Sequence, residues 1–378
     1  MEKGNIETPL KVFQVIQSLE IGGAENFTCQ LSNELSKNND ITLLTTKKYD
    51  SNPNFDKILN SNIKHLNLSW TKKYSILQFV ELLKLIRFHK PDVVHVHLHN
   101  SFYYVFACAI FKKNLNYIHT IHSSFEVWEP IFKIIYKLRL LNNKIIHVAL
   151  SKSIEDKFKK NFKKINVTKI SNGISPLLQS QTSNLETNNF MKSISHQEDS
   201  SNTLLIAIGN IATFKNYVLL AKALKQINNK NIKCVIIGKH ASPELVDEIK
   251  SVNCENLQLV GFKENAAQYL YIADALVISS LQEGMPLVAL EAMSVGVPII
   301  STPVGALPEL IKHNETGILS KDNSIIEFSN ALKYFINLTN IERKKMGSLA
   351  RERFLKEYSI ERTAMNYNNL YRNGLDTR

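Results

Sequence analysis

The chain is predicted to be an α/β protein of two Rossmann-like units, each a parallel β-sheet flanked by helices, and three observations predict it. Short apolar runs suited to doubly buried strands, such as Leu276-Val277-Ile278, are followed by stretches of helical composition, such as Leu287 to Val295. A strand, a turn and a helix open both halves, at Lys11 to Ser36 and at Thr203 to Ile227. At 378 residues, 44% of them hydrophobic, the chain suffices for two domains with separate cores. The expected divisions are 1–174, a polar stretch 175–202, a second domain 203–355, and a closing helical segment 356–378.

Composition narrows the class. No run of eighteen apolar residues occurs, and MEKGNIETPLKVF lacks the charged start and long apolar block of a signal peptide, so a cytoplasmic chain is expected. Cys29, Cys108, Cys234 and Cys254 are scattered without a CxxC pair, which argues against a disulfide framework or a zinc ribbon. The net charge of +12 is lopsided: 25 Lys and Arg against 14 Asp and Glu fall in Met1 to Asn172, and 21 against 20 in the remainder. Such a bias predicts attraction to an anionic lipid, a phosphate-bearing acceptor or nucleic acid, unless it reflects codon usage alone. No nucleic-acid-binding motif accompanies it, so nucleic acid is not expected as a partner.

In the first half, Lys11 to Leu19 reads as a strand and Ile21-Gly22-Gly23-Ala24-Glu25 as a turn into a helix over Asn26 to Ser36. Gly22 and Gly23 permit positive φ angles and let backbone N–H groups approach an anion at a helix start. Ile41 to Thr46 and Ile63 to Leu66 are strands, and Ser75 to His89, ended by Pro91, is a helix lying on the sheet. Asp92 to His99 alternates, putting His95, His97 and His99 on one strand face. Three imidazoles there are either a zinc site or a lining, and the lack of a nearby acidic partner favours the lining. Asn116 to Thr120 is a strand leading to His122, which suits either a structural hydrogen bond or a ligand contact. Val127 to Lys144 interleaves Trp128, Phe132 and Ile135 with Lys133, Lys137 and Arg139, a basic amphipathic helix for an anionic membrane or for the domain surface. Ile145 to Ser151, a helix Ile154 to Phe162 and Val167 to Ile174, with its Asn172-Gly173 turn, close the half.

Ser175 to Asn202, rich in Ser, Asn, Gln and Thr, reads as a mobile surface excursion carrying no site. Thr203 to Gly209 is the next strand, followed by a turn holding Asn210 and Lys215 and by a helix from Tyr217 to Ile227. Lys233 to Gly238 and Leu257 to Val260 are strands, and Phe262 in the turn Gly261-Phe262-Lys263 either stacks on a base or joins the core. A helix from Glu264 to Tyr271 leads into the most informative stretch, ALVISSLQEGMPLVALEAMSVGVP, Ala275 to Pro298. Here a buried strand ends at Ser279-Ser280, a carboxyl edge of the kind where α/β sheets bind ligands. The turn Glu283-Gly284-Met285-Pro286 then starts a helix, with proline near its first turn. A helix start seats phosphate, Gly284 allows close approach, and carboxylates such as Glu283 and Glu291 accept hydrogen bonds from paired sugar hydroxyls. A strand Pro298 to Ser301, the segment Gly305 to Ile311 with Glu309, and helices Ile325 to Ile336, Ile341 to Leu355 and Ile360 to Tyr371 complete the chain.

Two acids separated by seven residues around a Gly-x-Pro turn and followed by Ala-Met resemble the signature of retaining GT-B glycosyltransferases of the family 4 type (glycosyl transferases group 1). The resemblance covers nearly the full chain, strongly in the second half and more loosely in the first. It implies the GT-B fold, two Rossmann-like domains facing across a cleft with the last helix returning to the N-terminal domain. It also implies retaining transfer of a hexose from a nucleotide-diphosphate sugar, a UDP-sugar favoured over a GDP-sugar, to a hydroxyl of a glycan or lipid-linked acceptor, in bacterial surface polysaccharide synthesis. The loop Gly22-Gly23, Lys215 and the helix start at Leu287 and Val288 would meet the diphosphate. Phe262 would lie near the nucleobase, Glu291 on the ribose, and Glu283 and His122 on the transferred sugar, with Gly284 and Met285 forming the turn. His122, Lys215 and Glu283 would be the catalytic residues.

One departure stands out: Asn210 occupies the position of the family's usual Arg, so one cationic contact to the diphosphate is replaced, by Asn210 itself or by another residue. No Asp-x-Asp occurs at a strand end, so no catalytic metal and no cofactor beyond the donor substrate are expected. Peripheral contact with the inner face of the cell membrane is expected if the basic helix lies on lipid. Two rival readings share these residues, a GT-B sugar-nucleotide epimerase that turns over donor without acceptor, and a non-catalytic nucleotide-binding protein of the membrane surface.

Overall fold

The structure is a computed structural model that describes residues 8–20, 22–47, 59–70, 75–98, 115–122, 145–162, 165–179, 189–190 and 203–376. Most of the polar stretch 175–202, the whole basic segment 127–144, His99 and Cys108 lie outside the described residues. The chain divides into two compact units, Met1–Ser175 with Ile360–Arg378, and Pro176–Ser359.

The first unit holds a seven-stranded parallel sheet in the order β3-β2-β1-β4-β5-β6-β7. Its strands are β1 (Lys11–Ile16), β2 (Asp40–Lys47), β3 (Lys64–Trp70), β4 (Val93–His97), β5 (Asn116–Ile121), β6 (Ile145–Ala149) and β7 (Val167–Lys169). The described helices alongside are α1 (Gly23–Leu35), α2 (Ile76–His89) and α3 (Lys152–Asn161). Strands β4 and β5 are buried along their whole length, which explains why both are mainly apolar apart from Asn116, their histidines and Thr120.

Three details differ from the sequence reading. Helix α1 starts at Gly23 rather than Asn26, and neither glycine takes a positive φ: Gly22 is the extended residue before the helix, at φ −165°. Strand β3 runs on to Trp70, whose indole N–H donates to Glu81 Oε2 on α2 at 2.8 Å, so the end of this polar-looking stretch is tied to the helix that follows it. The period-two histidine strand ends at His97, where Leu98 turns to φ +62°.

The second unit holds a six-stranded parallel sheet in the order β10-β9-β8-β11-β12-β13. These are β8 (Thr203–Ile208), β9 (Ile232–Ile237), β10 (Leu257–Gly261), β11 (Ala275–Ile278), β12 (Ile299–Ser301) and β13 (Gly317–Leu319). Helices α4 (Tyr217–Ile227), α5 (Pro243–Ser251), α6 (Leu287–Ser294), α7 (Leu307–Leu310), α8 (Ile325–Ile336) and α9 (Asn340–Glu357) accompany them. One face of the sheet packs Leu205, Cys234, Val277 and Ile300 against Leu220 and Leu224 of α4 and Phe328 and Phe335 of α8. The Glu264–Tyr271 helix is a 3-10 helix over Ala266–Ile272, entered through Asn265 at φ +53° and closed by the short-range bond Gln268 N–H to Asn265 O. Helix α5 was not read from the sequence, although its signals are present: Ser242 caps Leu245 N–H and Pro243 occupies the first turn.

The last helix, α10 (Ile360–Asp376), belongs to the first unit, and the return begins at Ile360 rather than 356 because α9 runs on to Glu357. Ile360 N–H donates to Ile174 O and Thr363 Oγ1 to Ser171 O. Tyr367 and Tyr371 of α10 are fully buried, and Asn116 Nδ2 donates to Tyr371 O.

Both sheets reverse their strand order at one place, between β1 and β4 and between β8 and β11. At such a reversal the connections leave in opposite directions and open a crevice beyond the carboxyl ends of the strands. Topology alone therefore singles out the residues after β1 and β4 in one unit, and after β8 and β11 in the other.

Candidate active site

In the second unit the turns after β8 and β11 are stitched together. Lys215, the last residue of a single 3-10 turn (Thr213–Lys215), brings Nζ to 2.7 Å from Glu283 Oε1, with side chains 16% and 9% exposed. Ser280 Oγ donates to the same Oε1 at 2.7 Å, Ser279 Oγ to Lys215 O at 2.9 Å, and Leu281 N–H to Phe214 O at 2.7 Å. Glu283 Oε1 thus takes both bonds, and Oε2 has no protein partner among the described residues. The Lys215 ammonium spends one of three donors on Glu283. It also lies 5.5 Å from the centroid of the half-exposed Phe214 ring.

Gly305 supports this turn from below. Its φ is +59°, and a Cβ there would lie 2.1 Å from Glu283 O, while the next residue, Ala306, donates its N–H to Gly284 O at 2.9 Å. Only a glycine allows this approach. Helix α6 then begins after Pro286 with no side-chain cap and no acidic residue in its first turn, so its leading N–H groups are left for another acceptor. Met285 and Leu287 are buried and Val288 half-buried, so they shape the turn. Glu291 lies one turn into α6, and its carboxylate makes no hydrogen bond or ion pair among the described residues; burial pushes its pKa up to about 7. A partly desolvated acid without a partner is costly, which makes Glu291 a candidate binding group.

Asn210 and Phe262 are joined through a residue that sequence reasoning missed. Asn210 Oδ1 accepts the N–H of Lys239 at 3.2 Å, which leaves the Asn210 NH2 group free to donate. The exposed Lys239 holds its ammonium 5.2 Å from the centroid of the Phe262 ring, itself 49% exposed, so Phe262 does not join the core. A lone lysine after a strand carries no signal in the sequence. A polar cavity of about 520 Å³, lined by Thr203, Asp274 and Arg343 among others, opens at the other end of this sheet. Six residues of β8, roughly 20 Å, separate it from the turn at Gly209, so it does not serve the Lys215–Glu283 pair.

In the first unit the glycine loop differs from its expected use. A Cβ on Gly22 would lie 2.2 Å from Glu25 Oε2, so the Glu25 carboxylate already occupies this helix start, where burial raises its pKa. An anion at Gly22 and Gly23 must displace it. His122 follows β5, with Nε2 3.1 Å from His97 Nδ1 and its ring edge-on to Phe27 at 5.6 Å. Burial lowers its pKa to about 3, so the ring is neutral. His97 Nε2 lies 2.7 Å from Gln14 Oε1, and His95 reaches Tyr371 OH and Thr120 Oγ1, both at 2.7 Å. All four ring nitrogens of His95 and His97 are thereby engaged, and the described residues contain no cluster of three His, Cys, Asp or Glu placed to hold a metal. No helix among them is long and apolar enough to cross a membrane.

The chain matches the sequence profile of the Glycosyl transferases group 1 over residues 190–353 and that of Glycosyltransferase Family 4 over residues 21–176. It is 29% identical over 176 residues to N-acetyl-alpha-D-glucosaminyl L-malate synthase of Bacillus anthracis, a match that spans only 45% of either chain. It is 27% identical over 290 residues to UDP-Gal:alpha-D-GlcNAc-diphosphoundecaprenol alpha-1,3-galactosyltransferase of Escherichia coli, covering 70% of this chain and 71% of that one. Its fold superposes on a glycosyltransferase from Rickettsia africae ESF-5 with a TM-score of 0.83 at 17% identity, over 98% of this chain and 100% of the other. Two parallel sheets of this order, both profiles in sequence, and that superposition make the chain a GT-B glycosyltransferase of the group 1, family 4 type.

Proposed function

We propose that this transferase moves a hexose from a nucleotide-diphosphate sugar, a UDP-sugar in preference, to a hydroxyl of a glycan or lipid-linked acceptor, with retention and without a divalent metal. The observation that carries the reading is the Lys215–Glu283 pair at the reversal of the second sheet, with Glu283 Oε2 and two Lys215 donors uncommitted and Glu291 without a partner one turn into α6. The hard part of such a transfer is the charge that grows on the departing diphosphate, which preorganised donors must meet. Lys215 and the uncapped start of α6 supply them, and the Asn210 NH2 group adds a neutral donor where a cation is usual. Glu291 accepts the ribose hydroxyls, Glu283 Oε2 accepts from the sugar, and the exposed Phe262 ring stacks on the base. Among the described residues no side chain is set as a nucleophile, so the incoming hydroxyl attacks on the face the diphosphate leaves, passing its proton to a diphosphate oxygen.

The UDP preference and the lipid-linked acceptor draw support from the Escherichia coli relative, whose name carries both. The lack of any Asp-x-Asp supports metal independence. A membrane-borne acceptor is further supported by α2, whose outward side carries Ile76, Leu77 and Phe88 at 80–81% exposure beside Lys84 and Arg87. Incubation with UDP- and GDP-sugars and a membrane lipid extract, with and without chelator, tests the reading. Nucleotide release, product mass and anomeric configuration by NMR should report acceptor-dependent, chelator-insensitive transfer with retention. Donor turnover without acceptor would replace transfer by isomerisation.

A further inference from the structure

The turns after β8 and β9 are in backbone contact, and a second lysine is held at their seam. A Cβ on Gly238 would lie 2.0 Å from Gly209 O and 3.0 Å from Asn210 N, so the β9 turn presses directly on the β8 turn. The main chain of Lys239 is clamped there: its N–H donates to Asn210 Oδ1 at 3.2 Å, and its carbonyl accepts the N–H groups of Ile211 and Ala241, both at 2.9 Å. A main-chain N–H only donates, so this contact fixes which end of the Asn210 amide is oxygen. Gly209, the residue before Asn210, also carries the other lysine, since a Cβ there would lie 3.1 Å from Lys215 Cε and 3.6 Å from its Nζ.

The two lysines differ in what they can offer a ligand. Lys215 is paired with Glu283 at 2.7 Å, so the pair directs a donor but brings no net charge. Lys239 is exposed, and its ammonium lies 5.2 Å from the centroid of the exposed Phe262 ring with no carboxylate partner among the described residues. The turns after β8 and β9, residues 209–216 and 238–242, contain no other lysine or arginine. A neutral pair cannot offset the charge of a diphosphate. An ammonium held only over an exposed ring moves readily to a phosphate oxygen, because a charge-assisted hydrogen bond is stronger than that contact.

We infer that Lys239 is a second cation for the diphosphate of the donor, and that Asn210 is the positioning residue that aims it by holding its main chain. This assignment rests on the proposed function and adds to it a binding residue from a different turn. Lys215 meets the phosphate as half of a neutral pair, and Lys239 supplies the net charge. Two consequences separate this role from packing. Lys239 should matter to a nucleoside diphosphate and hardly at all to the nucleoside, and its effect should shrink as salt rises. Its effect should also depend on Asn210, because groups joined by a hydrogen bond do not act additively.

The test is calorimetry of the full-length protein with whichever of UDP and GDP binds more tightly, and with its nucleoside by competition, at about 50 and about 300 mM NaCl. At the lower salt Lys239→Gln should weaken the diphosphate about tenfold and the nucleoside by less than about twofold, and Lys239→Arg should keep most of the wild-type affinity. The loss should be smaller at the higher salt. Unchanged diphosphate affinity in Lys239→Gln, or an equal loss for the nucleoside, overturns the inference and leaves the donor reading standing. Wild-type protein that binds neither UDP nor GDP overturns both. In an Asn210→Ala background Lys239→Gln should cost less than about threefold, and a full tenfold loss there overturns the positioning role of Asn210. Both residues are exposed, and thermal melts verify that each variant is folded.

Discussion

Lys215 Nζ and Glu283 Oε1 lie 2.7 Å apart, closing the turn after β8 onto the turn after β11 with both side chains largely withdrawn from water. The pair fixes the two turns and, under the proposed function, also presents an ammonium to the leaving group. Lys215→Ala removes both. We expect kcat to fall about 10²–10³-fold, the usual cost of removing one preorganised donor. We also expect stability to fall by about 1–3 kcal/mol because Glu283 is left without its cation. Steady-state kinetics with a UDP-sugar and thermal melts separate the effects. Ala at 215 with full activity would remove this pair from the chemistry.

Glu291 predicts a proton signature. Its pKa is raised to about 7 by burial, so near pH 7 about half the molecules carry a protonated carboxyl. Ribose hydroxyls that donate to it favour the ionised form, so nucleotide binding should release up to about half a proton at pH 7. Calorimetry in buffers of different ionisation enthalpy measures this directly. Glu291→Gln should abolish the release and weaken nucleotide binding about tenfold or more.

The buried histidines predict acid lability. His95, His97, His122 and His147 all have folded-state pKa values lowered by burial, His122 and His147 to about 3. Above pH 6.5 these rings are neutral folded or unfolded, and their contribution is fully present. As the pH falls below 6.5 the unfolded chain takes up protons that the folded one refuses, and stability is lost at about 1.4 kcal/mol per pH unit for each ring. Glu291 and Glu25, with raised pKa values, work in the opposite sense, contributing at low pH and losing that contribution as pH rises, for Glu291 through about 7. Urea midpoints at pH 7.5, 6 and 5 should fall steadily, with protons taken up on unfolding.

Gly305 predicts a structural lesion that reaches the site. Alanine there meets Glu283 O at 2.1 Å in a left-handed backbone, so the Glu283 turn must move. Donor KM should rise several-fold together with a stability loss of about 2–3 kcal/mol. Gly296→Ala serves as the control: its φ is also positive, +74°, but nothing lies nearer than 3.5 Å, so it should cost about 1 kcal/mol and leave donor KM unchanged.

Much of the second unit was legible in the sequence, and the reasons are local. Tyr217–Ile227 and Ile325–Ile336 appear with the bounds read from their apolar period, and the turn at Glu283 announced itself through glycine and proline. The first unit was less legible because its decisive contacts are remote. Nothing in the alternation of Asp92 to His99 says that Gln14 and Tyr371, 83 and 276 positions away from their histidine partners, would engage ring nitrogens of His97 and His95. Likewise Gly22 and Gly23 looked like a vacant anion seat, since no local pattern reveals that Glu25 folds back onto it. Lys239 escaped notice for the same reason: its partners Asn210 and Phe262 are neighbours only across the sheet.

Helix α10 imposes an order of assembly. Tyr367 and Tyr371, which satisfy Thr120, His95, Gln14 and Asn116, leave the ribosome only after all of Pro176–Ser359 has been made. The nascent amino-terminal sheet therefore lacks these partners until the later unit has been made. A chain that stalls at Ser359 would carry one finished lobe and one that water still enters, and such a fragment is a natural target for proteases and chaperones.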